Sequence, residues 1–162
     1  MSPFAIMHVS AVFVSYASAI GIAFAPIGSR GHKLWGRAYA GGMLTTALSG
    51  FGMYNFGGPS MFHVFSIVTI TGITLGLRSI WKFSKTRDKK YLAGHYFHMA
   101  YSFMGLNMAA AGQALRLFDF SSFNTYLAAM SICFFLIGIA ARVLIRGWFR
   151  TRIAPRFGIR LA

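Results

Sequence analysis

Apolar residues fall into five long runs along the chain, separated by short breaks of glycine, proline, serine and charged residues. The runs cover roughly residues 3 to 26, 34 to 56, 61 to 81, 94 to 117 and 123 to 145. A bilayer core about 30 Å thick is crossed by a helix of about 20 mostly apolar residues. The pattern therefore predicts an all-α fold, an integral membrane bundle of about five transmembrane helices over residues 1–145, followed by a basic tail over residues 146–162.

The composition agrees with lipid as the natural solvent of this chain. Of its 162 residues, 56% are apolar and only 11% are charged, whereas about a quarter of the residues of an ordinary soluble domain are charged. Sixteen Lys and Arg against two acidic residues would by themselves suggest a nucleic-acid binder. The positions of these charges favour a membrane protein instead, and no nucleic-acid partner is expected.

The positive charges also predict the orientation in the membrane. If the five runs cross in alternation, every Lys and Arg except Arg116 lies on one side, in the first loop, the third loop and the tail. Positively charged segments stay in the cytoplasm, so the N-terminus is predicted outside and the C-terminus inside. The same assignment places Trp35, Trp81 and Trp148 at the cytoplasmic headgroup level, where amphipathic rings are enriched.

The basic tail mixes arginines with apolar residues. Ile145, Trp148, Phe149 and Ile153 stand among the arginines that follow residue 141. This mixture predicts a helix that lies on anionic lipids at the membrane surface, or else a docking segment for a partner protein.

Small residues recur at helical spacing within the predicted helices. They are Ala17, Gly21 and Ala25 in the first, Gly72 and Gly76 in the third, and Gly105, Ala109 and Gly112 in the fourth. Such faces let neighbouring helices approach closely in a bilayer. The alternative interpretation is a flat face for a porphyrin or a quinone.

The five histidines all lie near predicted helix ends. Predicted helices one and three run in the same direction, as do two and four, so His8 and His63 share an outer level. His32 shares an inner level with His95 or His98.

Ionisable groups at membrane depth are costly and usually functional, and imidazole is a common axial ligand of haem iron. The layout resembles that of di-haem cytochrome b membrane proteins. We therefore expect His8 and His63 to ligate the iron of an outer haem b. We expect His32 and His95, or else His32 and His98, to ligate the iron of an inner haem b. The other interpretation is that the histidines bind no metal and lie near the membrane interfaces.

Two short motifs open the second and fourth predicted helices. Gly-His-Lys-Leu-Trp-Gly-Arg-Ala-Tyr spans residues 31–39, with Met43-Leu44 and Ala47-Leu48-Ser49-Gly50 following, and His-Tyr-Phe-His-Met spans residues 95–99. Together they resemble a family of predicted bacterial membrane proteins of unknown function, marked by His-(Arg/Lys)-x-x-Gly-Arg-x-Tyr and a later His-x-x-x-Met. The second motif departs from the family at Tyr96 and His98, where Arg and Trp are common. The resemblance covers roughly residues 5 to 117, and it implies a multi-pass protein of the bacterial inner membrane with a shared site around His32 and His95, without supplying a reaction.

The chemistry that the chain lacks narrows its function. Only Asp88 and Asp119 are acidic, so there is no carboxylate pair for hydrolysis and no carboxylate cage for a metal ion. Phosphate-binding loops and nucleophile elbows are missing as well. Two classes fit: a b-type haem electron-transfer protein, and a non-catalytic accessory subunit of a larger membrane complex or homo-oligomer. A transporter fits less well, because the five predicted helices show no inverted repeat for alternating access.

Overall fold

The computed structural model describes residues 2–53 and 61–159. Within those ranges the chain is almost entirely helical and contains no strand. The five long helices are α1 (Pro3–Phe24), α2 (Arg30–Gly50), α3 (Met61–Thr86), α4 (Lys89–Leu115) and α5 (Phe123–Trp148). A π-helical turn at Phe149–Ile153 continues α5 into the short helix α6 (Ala154–Phe157). The predicted all-α fold is confirmed, whereas the predicted break at residues 57–59 and Arg160 of the tail lie outside the described residues.

Side-chain caps fix where four of these helices begin. At α1, the Ser2 hydroxyl accepts a hydrogen bond from the backbone N–H of Ala5. The Ser29 hydroxyl accepts a hydrogen bond from the backbone N–H of His32, Asp88 accepts one from Lys90, and Ser122 accepts one from Thr125. Each cap satisfies a backbone donor that the first helical turn leaves without a partner. Because of these caps, α2 and α4 begin several residues before the apolar runs from which they were predicted.

Among the described residues, three helical segments are long and apolar enough to cross a membrane: Pro3–Phe24, Phe62–Thr86 and Phe123–Phe157. These segments carry large exposed apolar side chains, such as Phe24 and Leu144, which are 86% and 70% exposed. Helices α2 and α4 are similar in length but less apolar, since both begin with cationic turns. The structure thus agrees with a membrane protein, and crossing by α2 and α4 stays a prediction.

The chain divides into two compact units, residues 1–74 and 75–162, so the boundary falls within α3. In the first unit, α1 and α2 form an antiparallel hairpin in close contact along its length. Gly42 lies against Ser15 of α1, and a methyl group on Gly42 would come within 2.6 Å of the Ser15 hydroxyl oxygen. Nearer the connecting loop, the Trp35 ring covers Gly21. The buried face of α1 consists of Ala11, Ser15 and Ser18.

In the second unit, α5 runs antiparallel to α4. The Tyr126 hydroxyl donates a hydrogen bond of 3.1 Å to the carbonyl oxygen of Gly112. At the other end, the Tyr96 hydroxyl donates one of 2.9 Å to the carbonyl oxygen of Ile145. These two bonds satisfy phenolic hydroxyls in a half-buried contact and fix the register of the two helices.

The basic tail continues this antiparallel contact along the first turns of α4. The Phe149 ring lies 4.6 Å from the Phe97 ring, centroid to centroid. The Lys89 ammonium donates a hydrogen bond of 3.1 Å to the carbonyl oxygen of Gly158, which ends α6 with a positive φ of 59°. The buried residues of the tail are Phe149, Ile153 and Ala154. These three apolar side chains of the tail are packed within the protein, whereas Trp148 is exposed.

Candidate functional site

Helix α1 and the last turns of α2 orient His8. Its Nδ1 lies 3.2 Å from the hydroxyl oxygen of Ser49, which donates its own hydrogen to the carbonyl oxygen of Thr45 at 2.6 Å. A hydroxyl has one hydrogen, so Ser49 accepts at His8 and the histidine must be the donor. This assigns the Nδ1–H tautomer to neutral His8 and leaves the lone pair on Nε2, the form in which imidazole binds a metal.

The other predicted outer histidine contacts the same end of α2. A methyl group on Gly50 would lie 2.9 Å from the Ser66 hydroxyl oxygen and 3.8 Å from Cε1 of His8, so α1 and α3 both approach α2 at this glycine. One turn before Ser66, the His63 ring packs against Phe51 at a centroid distance of 5.9 Å. The structure therefore places both histidines where α2 ends, inside the first unit.

Helices α3 and α4 orient His95 in the second unit. Its Nδ1 lies 3.0 Å from the carbonyl oxygen of Gly76. A carbonyl can only accept, so Nδ1 carries the hydrogen and Nε2 carries the lone pair in neutral His95. A methyl group on Gly76 would lie 3.3 Å from Cβ of His98 and 3.0 Å from Cε of Met99. His95, His98 and Met99 thus form one half-buried face of α4 turned toward α3.

His32 stands in the first turn of α2, in the first unit. Its backbone N–H is satisfied by the Ser29 cap, but its ring Nδ1 is buried and has no hydrogen-bond partner among the described residues. The Thr46 hydroxyl is also buried and has no hydrogen-bond partner among the described residues. A buried polar atom without a partner costs about 1–3 kcal/mol and calls for an explanation, such as a bound group. His95 and His98, which were predicted to pair with His32, belong to the second unit. Their pairing with His32 stays a prediction.

An open groove on the α1–α2 hairpin was not foreseen from the sequence. It has a volume of about 290 Å³ and is lined by Met7, Ser10, Ala11, Val14, Gly42 and Thr45. The signal in the sequence is the pair of small residues Ala11 and Gly42. This signal could not predict the groove, because the register of α1 against α2 decides which small residues face each other.

Comparison of the sequence with protein-family models and with curated proteins, and of the structure with solved structures, finds no match. Among the described residues, no three His, Cys, Asp or Glu side chains are grouped as a metal site.

Proposed function

We propose that this chain is a small bacterial inner-membrane protein that carries b-type haem and transfers electrons. In this proposal it crosses the bilayer five times, with its N-terminus outside and its C-terminus in the cytoplasm. The uneven distribution of Lys and Arg supports that orientation. Helices α2 and α4, with 21 and 27 residues, extend about 31 and 40 Å, which is enough to cross a core of about 30 Å.

The single observation that carries the haem proposal is a hydrogen-bond arrangement shared by two histidines. His8 and His95 each donate Nδ1–H to an oxygen of the protein and keep the lone pair on Nε2. Metal-ligating histidines almost always have such an outer partner, because it fixes the ring and makes the ligand nitrogen more basic. In the proposed topology these two histidines stand at opposite membrane levels.

The proposed ligands follow from this arrangement. His8 with His63 would hold an outer haem, and His32 with His95 an inner one, with His98 as the alternative to His95. The buried Nδ1 of His32 suits a ligand role, because coordination would satisfy an atom that the described residues leave without a partner. Bound haem would supply one-electron transfer between ferric and ferrous iron.

The packing limits where a haem could lie. The α1–α2 contact is closed, since Ser15 is fully buried against Gly42 and the Trp35 ring covers Gly21. A flat ring therefore does not fit between α1 and α2. The small residues of α1 serve helix packing, and haem held by His8 has to lie outside that contact.

The alternative function is that of a non-catalytic accessory subunit, and the groove on the α1–α2 hairpin favours it. Met7, Ser10, Val14 and Thr45 line the groove beside the buried Ala11 and Gly42, so side chains of another subunit could enter it. The hydroxyls of Ser10 and Thr45 at the same groove could bond across such a contact.

An absorption spectrum tests the haem proposal against this alternative. Full-length protein produced with ample haem should show a Soret band, and the fourfold variant H8A/H32A/H63A/H95A, purified in parallel, should lack it. A wild-type protein without Soret absorbance would overturn the haem proposal and leave the accessory subunit.

A further inference from the structure

Three segments of the second unit meet at one cationic end: residues 81–86 of α3, residues 89–91 of α4, and the tail. The Lys82 ammonium lies 5.2 Å from the centroid of the Tyr91 ring, and the Lys90 ammonium lies 5.0 Å from it. The hydrogen bond from Lys89 to Gly158 joins the tail to the same place. Segments far apart in sequence therefore form one surface, which we name the cationic end.

The charge of the cationic end is almost entirely positive. Its only acidic residue is Asp88, whose carboxylate lies 2.8 Å from the Lys90 ammonium. The side-chain hydrogen bond from Lys90, followed by the one from its backbone N–H, lowers the pKa of Asp88 below its ordinary value. One carboxylate offsets one cation. Within the part of the chain that the structure describes, the basic residues of the three segments and of the turn beside Asp88 are Lys82, Lys85, Arg87, Lys89, Lys90, Arg146, Arg150, Arg152 and Arg156.

The fold holds the tail's arginines outward. Phe149, Ile153 and Ala154 are buried, and Phe149 packs against Phe97. A helical turn that buries these positions turns the intervening arginines away from α4, and Arg150, Arg152 and Arg156 are exposed. These arginines stand on a folded helical backbone, which reduces the entropy lost on binding.

Two exposed tryptophans indicate what this surface meets. Trp81 and Trp148 are 56% and 57% exposed, and each has a cation beside its ring: the Lys85 ammonium at 4.3 Å and the Arg152 guanidinium at 5.8 Å. Both tryptophans stand in the later part of helical segments that are apolar enough to cross a membrane. Indole rings are enriched at the headgroup level of a bilayer, and long cationic side chains beside them extend toward the phosphates.

Helix length agrees with this position. The 35 residues of Phe123–Phe157 extend about 52 Å, whereas the apolar core of a bilayer is about 30 Å thick. A helix that enters the core near Phe123 therefore leaves it before the tail, and the arginines of the tail stand at or beyond the headgroups.

We propose that the cationic end is a preformed docking surface for the headgroups of anionic phospholipids, to which the folded tail presents Arg150, Arg152 and Arg156. The proposal rests on the proposed membrane crossing and not on haem. A phospholipid, rather than a nucleic acid or an acidic protein, is the occupant because the exposed indoles and the cations lie where apolar helices would leave a bilayer.

Native mass spectrometry of the full chain in detergent micelles tests this proposal. Phosphatidylglycerol should remain bound at concentrations at which phosphatidylcholine does not, and its binding should weaken as salt is raised. Each of R152Q and R156Q should weaken phosphatidylglycerol binding about fivefold, the effect of one cation near an anionic surface. R152K, which keeps the charge, should bind like wild type. R116Q, which removes an exposed cation from the opposite end of α4, is the matched control and should also bind like wild type.

Three results would overturn the proposal. One is an equal loss of lipid binding in R116Q and R152Q. Another is displacement of phosphatidylglycerol by millimolar inorganic phosphate, which would indicate a site for free anions. The third is tighter binding of a short single-stranded oligonucleotide than of phosphatidylglycerol at matched salt. A chain without a Soret band that still prefers phosphatidylglycerol would support this proposal while removing haem, so the two failures are distinguishable.

Discussion

The Nδ1–H of His95 donates to the carbonyl oxygen of Gly76 across 3.0 Å, at a glycine of α3 where an added methyl group would contact Met99 of α4. One short bond therefore fixes the imidazole tautomer and ties two helices together. It also distinguishes His95, which the family-like motif favours as the ligand, from the alternative His98. His95 uses its ring to bond α3, whereas the contact of His98 with Gly76 is through Cβ.

The first prediction concerns these two histidines in protein that binds haem. His95→Ala should remove the inner spectral component, because it removes the imidazole whose Nε2 is directed by the bond to Gly76. His98→Ala should leave both components unchanged, and it is the matched control one turn away. Redox-difference spectra of the two variants check this. Loss of the inner component in His98→Ala alone would reverse the assignment.

The second prediction concerns the residue that orients His8. Ser49→Ala removes the hydroxyl that accepts from His8 Nδ1, and loss of such an outer partner usually weakens metal binding 10- to 100-fold. The outer haem should therefore dissociate more readily in a haem-transfer assay with apomyoglobin. Ser10→Ala, an exposed serine on the same helix, should retain haem as wild type does. Equal retention by both variants would show that Ser49 does not orient a ligand.

The third prediction separates two glycines that the sequence treats alike. A methyl group on Gly76 would already press on Met99 at 3.0 Å, whereas one on Gly72 would meet no described atom within 4 Å. Gly76→Leu should therefore destabilise the protein by about 1–3 kcal/mol, the usual cost of overpacking, and Gly72→Leu should cost much less. Thermal unfolding in detergent checks the order. Identical melting temperatures for the two variants would show that Gly76 is not at a helix contact.

The helices themselves could be predicted from hydropathy, because a long apolar run has few other stable structures in lipid. The first run was predicted over residues 3–26 and the helix covers Pro3–Phe24. The fourth was predicted from residue 94, yet α4 begins at Lys89, since the Asp88 cap allows charged residues to start a helix before the apolar run. Hydropathy predicts the part of a helix that prefers lipid. The helix itself can extend beyond that apolar run.

The contacts around the histidines could not be predicted in the same way. Helical direction is enough to place His8 and His63 at one level, but the acceptor at Ser49 depends on the register of α1 against α2. The same holds for Gly76, because its contact with α4 depends on which face α3 presents. A sequence pattern gives the faces of single helices, whereas the site is made by pairs of helices.

The fourth prediction concerns topology. Reporters fused after Lys90 and after Ala162 should both report cytoplasm, and one at Gly58, which lies outside the described residues, should report the outside. The reason is that nearly all cations lie in the segments assigned to the cytoplasm. Paired alkaline phosphatase and green fluorescent protein fusions provide the measurement. A cytoplasmic Gly58 would contradict the arrangement with five crossings.

The fifth prediction concerns the tail, whose order depends on Phe149. This ring is 3% exposed and lies 4.6 Å from Phe97 and 5.3 Å from Tyr96, so Phe149→Ala removes the main apolar contact that holds the tail against α4. Truncation of a buried Phe costs about 3–5 kcal/mol, and 3 kcal/mol raises the population of a locally opened state by about 100-fold.

Limited trypsin digestion in detergent should therefore cut the variant rapidly after Arg150, Arg152 and Arg156, at sites that the intact helix protects. Phe135→Ala is the control, because that ring is 68% exposed and its loss should leave cleavage of the tail unchanged. Equal cleavage rates for wild type and Phe149→Ala would mean that the tail is not held by α4. The arginines of the cationic end would then not be presented in a fixed arrangement, and their attraction to lipid would be that of a flexible basic segment.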